Sequence, residues 1–145
     1  MGKARHILVA DDDARVRNLL TDVLSRADYS VTAVADGEKA LKALLALEED
    51  AYPFDLLIAA VPMPELTGVE LLEEMRKWGI DIPVVAVSGK ATRETVLALK
   101  ALGCQEIVVK PFSPGTLLER VRSAFRKHAV GGETSVARDA GQQEQ

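Results

Sequence analysis

Three consecutive aspartates, Asp11-Asp12-Asp13, follow the short apolar run His6-Ile-Leu-Val-Ala10. Adjacent carboxylates suit a hard cation such as Mg²⁺, which prefers oxygen ligands and keeps several of its waters. Ser88 ends a second apolar run, Val84-Val-Ala-Val87, and Lys110 follows a third, Ile107-Val-Val109. A hydroxyl and an ammonium can hydrogen-bond and neutralise phosphate oxygens. Each of these residues also has an ordinary use. Aspartates just ahead of a helix cap its orphan N–H groups and favour its dipole with no metal present, and for the three aspartates alone that is the better account. Ser88 alone can be a capping hydroxyl, and Lys110 alone a surface charge. Only their convergence on one place would make a site.

That convergence depends on the elements that carry them. Val16, Leu19, Leu20, Val23, Leu24 and Ala27 recur at helical spacing after the first run. Ser30-Val-Thr-Ala-Val34 reads as a strand, with Ala40, Leu41, Leu44, Leu45 and Leu47 as the helix after it. Phe54 to Ala59 is a third strand, and Leu66, Val69, Leu72, Met75 and Trp78 a third helix. Val84–Val87 is followed by a helix through Val96, Leu97, Leu99 and Leu102; Ile107–Val109 is followed by one through Leu117, Leu118, Val121, Ala124 and Phe125. Five strands alternating with five helices imply βαβ units and a parallel sheet covered on both faces. Near-continuous apolar strands agree with burial on both sides. The fold expected is flavodoxin-like (βα)5, with strand order 2-1-3-4-5. Residues 1–128 form the domain. From Ala129 to Gln145 the chain is small, polar and aperiodic, and reads as a flexible tail.

In open parallel sheets ligands gather beyond the carboxyl ends of the strands, where the strand order reverses. Here those ends carry Asp11-Asp12-Asp13, then Ala59-Ala60-Val61-Pro62-Met63-Pro64, then Ser88-Gly89-Lys90, then Lys110-Pro111-Phe112. Strands one, three, four and five are contiguous in the expected order, so these four ends meet at one shallow cleft.

Ile7-Leu-Val-Ala-Asp-Asp-Asp13, Met63-Pro64 with Gly68, Ser88, and Lys110-Pro111-Phe112, in this order, resemble the signature of receiver domains of two-component response regulators. The resemblance runs from residue 5 to residue 128. It implies that Asp11 and Asp12 bind Mg²⁺, Asp12 directly and Asp11 through water, with the Pro62 carbonyl as a further ligand. It implies that Ser88 hydrogen-bonds a phosphoryl group and moves on activation, that Lys110 contacts phosphate, and that the Lys110-Pro111 bond is cis. It implies phosphotransfer from a histidine kinase or phosphotransfer protein. The downstream partner would dock on the surface of helix four, strand five and helix five, which can also self-associate as a homodimer.

The family's phosphoacceptor aspartate, three residues before the Met of Met-Pro, falls on Ala60. A methyl group is no nucleophile, so no acyl phosphate can form there. Asp55 does not stand in for it, lying at the start of the strand and about 16 Å away along an extended chain. Loss of that carboxylate also removes a metal ligand, so weakened Mg²⁺ binding is expected. Ile107 occupies a switch position where many receivers carry an aromatic. With Asp11, Asp12, Ser88 and Lys110 intact, the single departure at Ala60 favours a deliberate or recent substitution that leaves a phosphorylation-incompetent receiver. A natural pseudo-receiver, working as a phosphorylation-independent interaction module, stays open. More remote is a small phosphatase with an aspartate nucleophile; Asp11 and Asp13 fit its spacing loosely, but it would need a cap segment. A signalling module and not an enzyme is the leading reading.

Composition narrows the rest. Of 145 residues 48% are apolar and 28% charged, ordinary for a globular protein and too long for no core at all. No apolar run reaches the roughly 20 residues of a membrane-spanning helix, and Met1–His6 lacks a signal-peptide core, so a cytoplasmic location is expected. A net charge of −4 argues against direct nucleic-acid binding. The basic stretch Arg120, Arg122, Arg126, Lys127 reads as cations complementing the end of the last helix. Cys104, the sole cysteine, reads as a small buried side chain.

Overall fold

The fold was obtained as a computed structural model, which describes residues 4–46, 54–63 and 65–138. Parallel strands β1 (His6–Ala10), β2 (Ser30–Val34), β3 (Leu56–Ala60), β4 (Val84–Ser88) and β5 (Glu106–Val109) alternate with helices α1 (Ala14–Arg26), α2 (Gly37–Leu45), α3 (Gly68–Lys77), α4 (Arg93–Ala101) and α5 (Pro114–Val130). A further strand, β6 (Ser135–Ala137), completes a sheet of order β2-β1-β3-β4-β5-β6. The order 2-1-3-4-5 expected from the sequence is therefore present, with one strand added.

Alternation along the strands builds two cores. Leu8, Ala10, Leu57, Ala59 and Ala86 pack with Ala40, Leu44, Leu71, Leu72, Met75 and Leu99, so α2, α3 and α4 cover one face. Ile7, Val9, Leu56, Ile58, Val85 and Val87 pack with Leu20, Leu24, Leu117, Val121 and Ala124 of α1 and α5 on the other. Each helix starts on a side-chain cap: Asp13, Asp36, Thr67, Thr92 and Ser113 each accept a backbone N–H of the first turn. Thr67 and Glu70 close a full capping box on α3. The capping role considered for Ser88 belongs to Thr92.

Three expectations differ from the structure. Trp78 does not continue the apolar face of α3; the helix stops at Lys77, and Trp78 is 62% exposed. The sheet has six strands and not five. The segment expected to be a flexible tail is ordered as far as Arg138. In it α5 continues to Val130, Gly131 adopts a left-handed φ of 74°, and β6 lies along β5 with Glu106, Ile107 and Val108 opposite Ser135, Val136 and Ala137. A three-residue strand of small side chains has no periodicity to read, and its place is fixed by contacts outside it: the Ser135 N–H donates to the Gln105 carbonyl, the Thr134 hydroxyl to that of Cys104, and Lys127 to the Ser135 hydroxyl. Residues 1–3, 47–53 (Leu47 of the expected second helix among them), Pro64 and the tail from Asp139 to Gln145 lie outside the described residues.

Candidate functional site

Strand register brings the four sequence-selected ends to one rim. Ala10 pairs with Ala59, Ala60 with Val87, and Ser88 with Val109. Backbone bonds carry the alignment past the strand ends, from Asp11 N to the Val34 carbonyl, Val61 N to Val87, and Lys110 N to Ser88 at 2.8 Å.

Asp11 is buried, its side chain only 1% exposed, and both oxygens are engaged. Oδ1 accepts the Asp13 N–H at 2.9 Å, and Oδ2 accepts from Lys110 Nζ at 3.1 Å. The Arg17 guanidinium donates to the Asp11 carbonyl at 2.8 Å. Asp12 faces solvent, and Asp13 is occupied with capping α1. Ala60 is buried at the end of β3, where its methyl adds no polar atom to the rim. Its carbonyl is approached closely by Gly68: a Cβ there would lie 2.6 Å from the Ala60 oxygen, while the Gly68 N–H bonds the Val61 carbonyl at 2.8 Å. Only glycine permits α3 to begin this close to the end of β3.

Ser88 Oγ is held within its own turn, donating to the Lys90 carbonyl at 2.6 Å and accepting the Lys90 N–H at 3.1 Å. Gly89 beside it borders open space. Lys110-Pro111 is cis, as the resemblance implied. Pro62 is exposed in the bend after β3. Ile107 is fully buried among the α2–α4 core residues, away from the rim. Asp55 sits at the far end of the sheet, accepting the His6 N–H at 2.7 Å, and is no substitute for the missing carboxylate.

Among the described residues no group of three or more acidic, histidine or cysteine side chains converges to hold a metal. Of the Mg²⁺ ligands that the resemblance implies, Asp12 and Pro62 are exposed, while the Asp11 carboxylate is already paired with Lys110. This set fits an ion held weakly and largely through its own waters.

Sequence reasoning missed two features. One is the ion pair between Lys110 and Asp11, across 99 residues of chain. The other is Glu106, fully buried at the start of β5 and bonded by Arg120 Nη1 at 3.2 Å, Ser123 Oγ at 2.8 Å and the Lys127 ammonium. Arg120, Ser123 and Lys127 are spaced three and four apart, a polar stripe interleaved with the apolar face of α5; that spacing was the available signal. Burial works to lower the Arg120 pKa, but the hydrogen bond and charge of Glu119 and the charge of Glu106 outweigh it, and the net shift is upward. Cys104 is buried as expected. Desolvation pushes its thiol up to about 12 against backbone hydrogen bonds that lower it, so it is not a reactive thiolate.

Known proteins agree with this architecture. The family model described as response regulator receiver domain matches residues 7–122. The probable transcriptional regulator ycf27 of Cyanophora paradoxa is 37% identical over 85% of this chain and 49% of its own length. The alkaline phosphatase synthesis transcriptional regulatory protein PhoP of Bacillus subtilis is 31% identical over 90% of this chain and 52% of its own. The chain thus spans about half the length of the curated relatives it matches. Among solved structures, chemotaxis protein CheY4 of Vibrio cholerae superposes with a TM-score of 0.75 at 29% identity, covering 83% of this chain and 98% of that one. The receiver domain of Francisella response regulator 1452 gives 0.75 at 27% identity, covering 85% and 98%. The chain belongs to the response regulator receiver domains of two-component signalling systems.

Proposed function

We propose that this receiver cannot be phosphorylated at its acceptor position and holds the unphosphorylated conformation. The observation that carries the reading is the Ala60 methyl at the end of β3, on the same rim as the Asp11–Lys110 pair. In an intact receiver a carboxylate oxygen there attacks phosphorus and displaces the imidazole of the donor histidine; an alkyl carbon offers no lone pair. Asp12, with Asp11 behind a water and the Pro62 carbonyl, takes up Mg²⁺ weakly. Ser88 and Lys110 are the phosphate-contacting pair. Released from Lys90, the Ser88 hydroxyl is free to turn towards a phosphoryl group, and Ile107 is the inner half of that switch.

Partners are a histidine kinase or phosphotransfer protein at the acidic rim, and a downstream protein on the face of α4, β5 and α5. Self-association through that face, a cytoplasmic location and the absence of direct DNA contact complete the reading. Among the described residues no helix is long and apolar enough to cross a membrane. The module signals and does not catalyse: Asp13 is occupied by capping, which argues against the acid required by an aspartate-nucleophile phosphatase. A natural pseudo-receiver is favoured by one observation, the Lys110–Asp11 pair, which offsets the Asp11 charge without phosphate or metal. A deliberate or recent loss of the acceptor is favoured by the survival of Asp11, Asp12, Ser88 and Lys110 around Ala60.

Incubation of the chain and its Ala60→Asp variant with a small-molecule phosphodonor and Mg²⁺ tests the assignment. Mass spectrometry is expected to find a phosphoryl adduct, labile to base and to hydroxylamine as an acyl phosphate is, on the variant alone. An adduct on the unaltered chain would refute it.

A further inference from the structure

At the opposite end of the sheet from Asp11, a hollow of about 360 Å³ opens between the start of β1, the start of β2 and the second half of α5. Arg5, Tyr29, Arg122, Phe125, Arg126 and Ala129 line it. The rings of Tyr29 and Phe125 are stacked, with centroids 6.3 Å apart, and the Arg5 guanidinium lies 4.0 Å from the Phe125 ring centre.

The three arginines differ from the other basic side chains of this end of the molecule. Arg120 and Lys127 turn inward to Glu106, and His128 meets Asp81 at 2.9 Å. The side chains of Arg5, Arg122 and Arg126 have no ion pair or hydrogen bond with any described residue. Among the described residues no carboxylate lines the hollow, although the chain carries a net charge of −4. The helix dipole, invoked from sequence for this basic stretch, acts within the last turn; α5 ends at Val130, so it does not reach Arg122, and Arg5 is on no helix. Arg122 and Arg126 stand four apart on one face, a weakly repulsive arrangement that a bound anion would relieve.

We propose that this hollow binds a diphosphate group, as inorganic pyrophosphate or as part of a nucleoside diphosphate. Planar guanidinium forks match phosphate oxygens in pairs, and three of them suit a multiply charged diphosphate better than a single carboxylate. Stacking fixes Arg5 in place, so less freedom is lost on binding. The proposal is independent of the state of Ala60.

Calorimetric titration of the full chain at low salt with pyrophosphate, and separately with ADP, is the test. Saturable binding of pyrophosphate is expected, weakening with added salt and falling about tenfold or more for each arginine removed in Arg122→Gln and Arg126→Gln. Both residues are exposed, so the folds of these variants should survive, which thermal melts verify. Lys90→Gln, a change of an exposed side chain at the rim, should leave the binding intact. ADP binding more tightly than pyrophosphate would identify the nucleotide as the source; equal affinities would identify the bare diphosphate. No saturable binding into the millimolar range overturns the proposal, as does binding that survives the arginine substitutions or vanishes with Lys90→Gln. Binding of an oligoglutamate peptide without pyrophosphate would overturn it in favour of an acidic protein partner.

Discussion

Asp11 and Glu106 are carboxylates of equal depth, 1% and 0% exposed, and both meet a lysine, yet their surroundings differ. Glu106 lies at the start of β5 among two cations and a hydroxyl, and Lys127 carries the cluster on to Ser135 of β6. Asp11 lies at the end of β1 with one backbone N–H and one lysine, whose own side chain is 27% exposed at an open rim. A buried carboxylate closed on all sides by fixed partners works as a structural joint. One held by a single cation at an open rim lacks that closure. Burial alone does not separate the two; the number of partners does.

Removing the joint should be the most damaging change. Glu106→Ala leaves Lys127 without its carboxylate and Arg120 with Glu119 alone, and loss of one partner of a buried ion pair costs about 3 kcal/mol. Both cations can reach solvent, being 20% and 19% exposed, which keeps the loss to that end of the range. Urea denaturation of Glu106→Ala and Asp11→Ala side by side measures the contrast. An Asp11→Ala loss as large as that of Glu106→Ala would erase the distinction between joint and site.

Restoring the acceptor sharpens the same contrast at the rim. Ala60→Asp places a second carboxylate near Asp11 with only Lys110 to share. Like-charge repulsion should lower stability by about 1 kcal/mol without metal, and Mg²⁺ should recover it. Glu106, closed to metal, predicts no Mg²⁺ response in the unaltered chain beyond the weak one of Asp12. Thermal melts of both forms with and without Mg²⁺ decide it; equal metal responses would mean that Ala60 does not stand where the rim's chemistry is done.

Much of this was legible in the chain. The switch between helical and strand periodicity gave the five βα units, and the strand order followed from the rules for parallel crossovers. That Asp11, Ala60, Ser88 and Lys110 share one rim was legible because strand ends in such a sheet converge, so position in the pattern stands in for position in space; that Ala60 falls on the acceptor position came from the resemblance alone. Side-chain partners were not. Whether Lys110 faces solvent, phosphate or Asp11 depends on rotamers settled by packing, which spacing does not encode. β6 escaped for a related reason: three residues with small side chains carry no pattern, and what places them is the free edge of β5 and the reach of Lys127.

The smallest effect belongs to that strand. Ser135→Pro removes the N–H that donates to Gln105 and the hydroxyl that receives Lys127, while Lys127 keeps its bond to Glu106. β6 contributes three residues, of which Val136 is 37% exposed, so the global loss should stay near 1 kcal/mol or below. Local opening should be larger than the global number suggests. Native-state hydrogen exchange is expected to speed at the β5 amides along the β6 edge and to leave those of β1 and β3 unchanged. Loss of stability as great as in Glu106→Ala would show that the Glu106 cluster is closed by β6 and not by α5 alone. Unchanged exchange along β5 would show that the joint ends at Lys127, and that β6 adds nothing to the edge it covers.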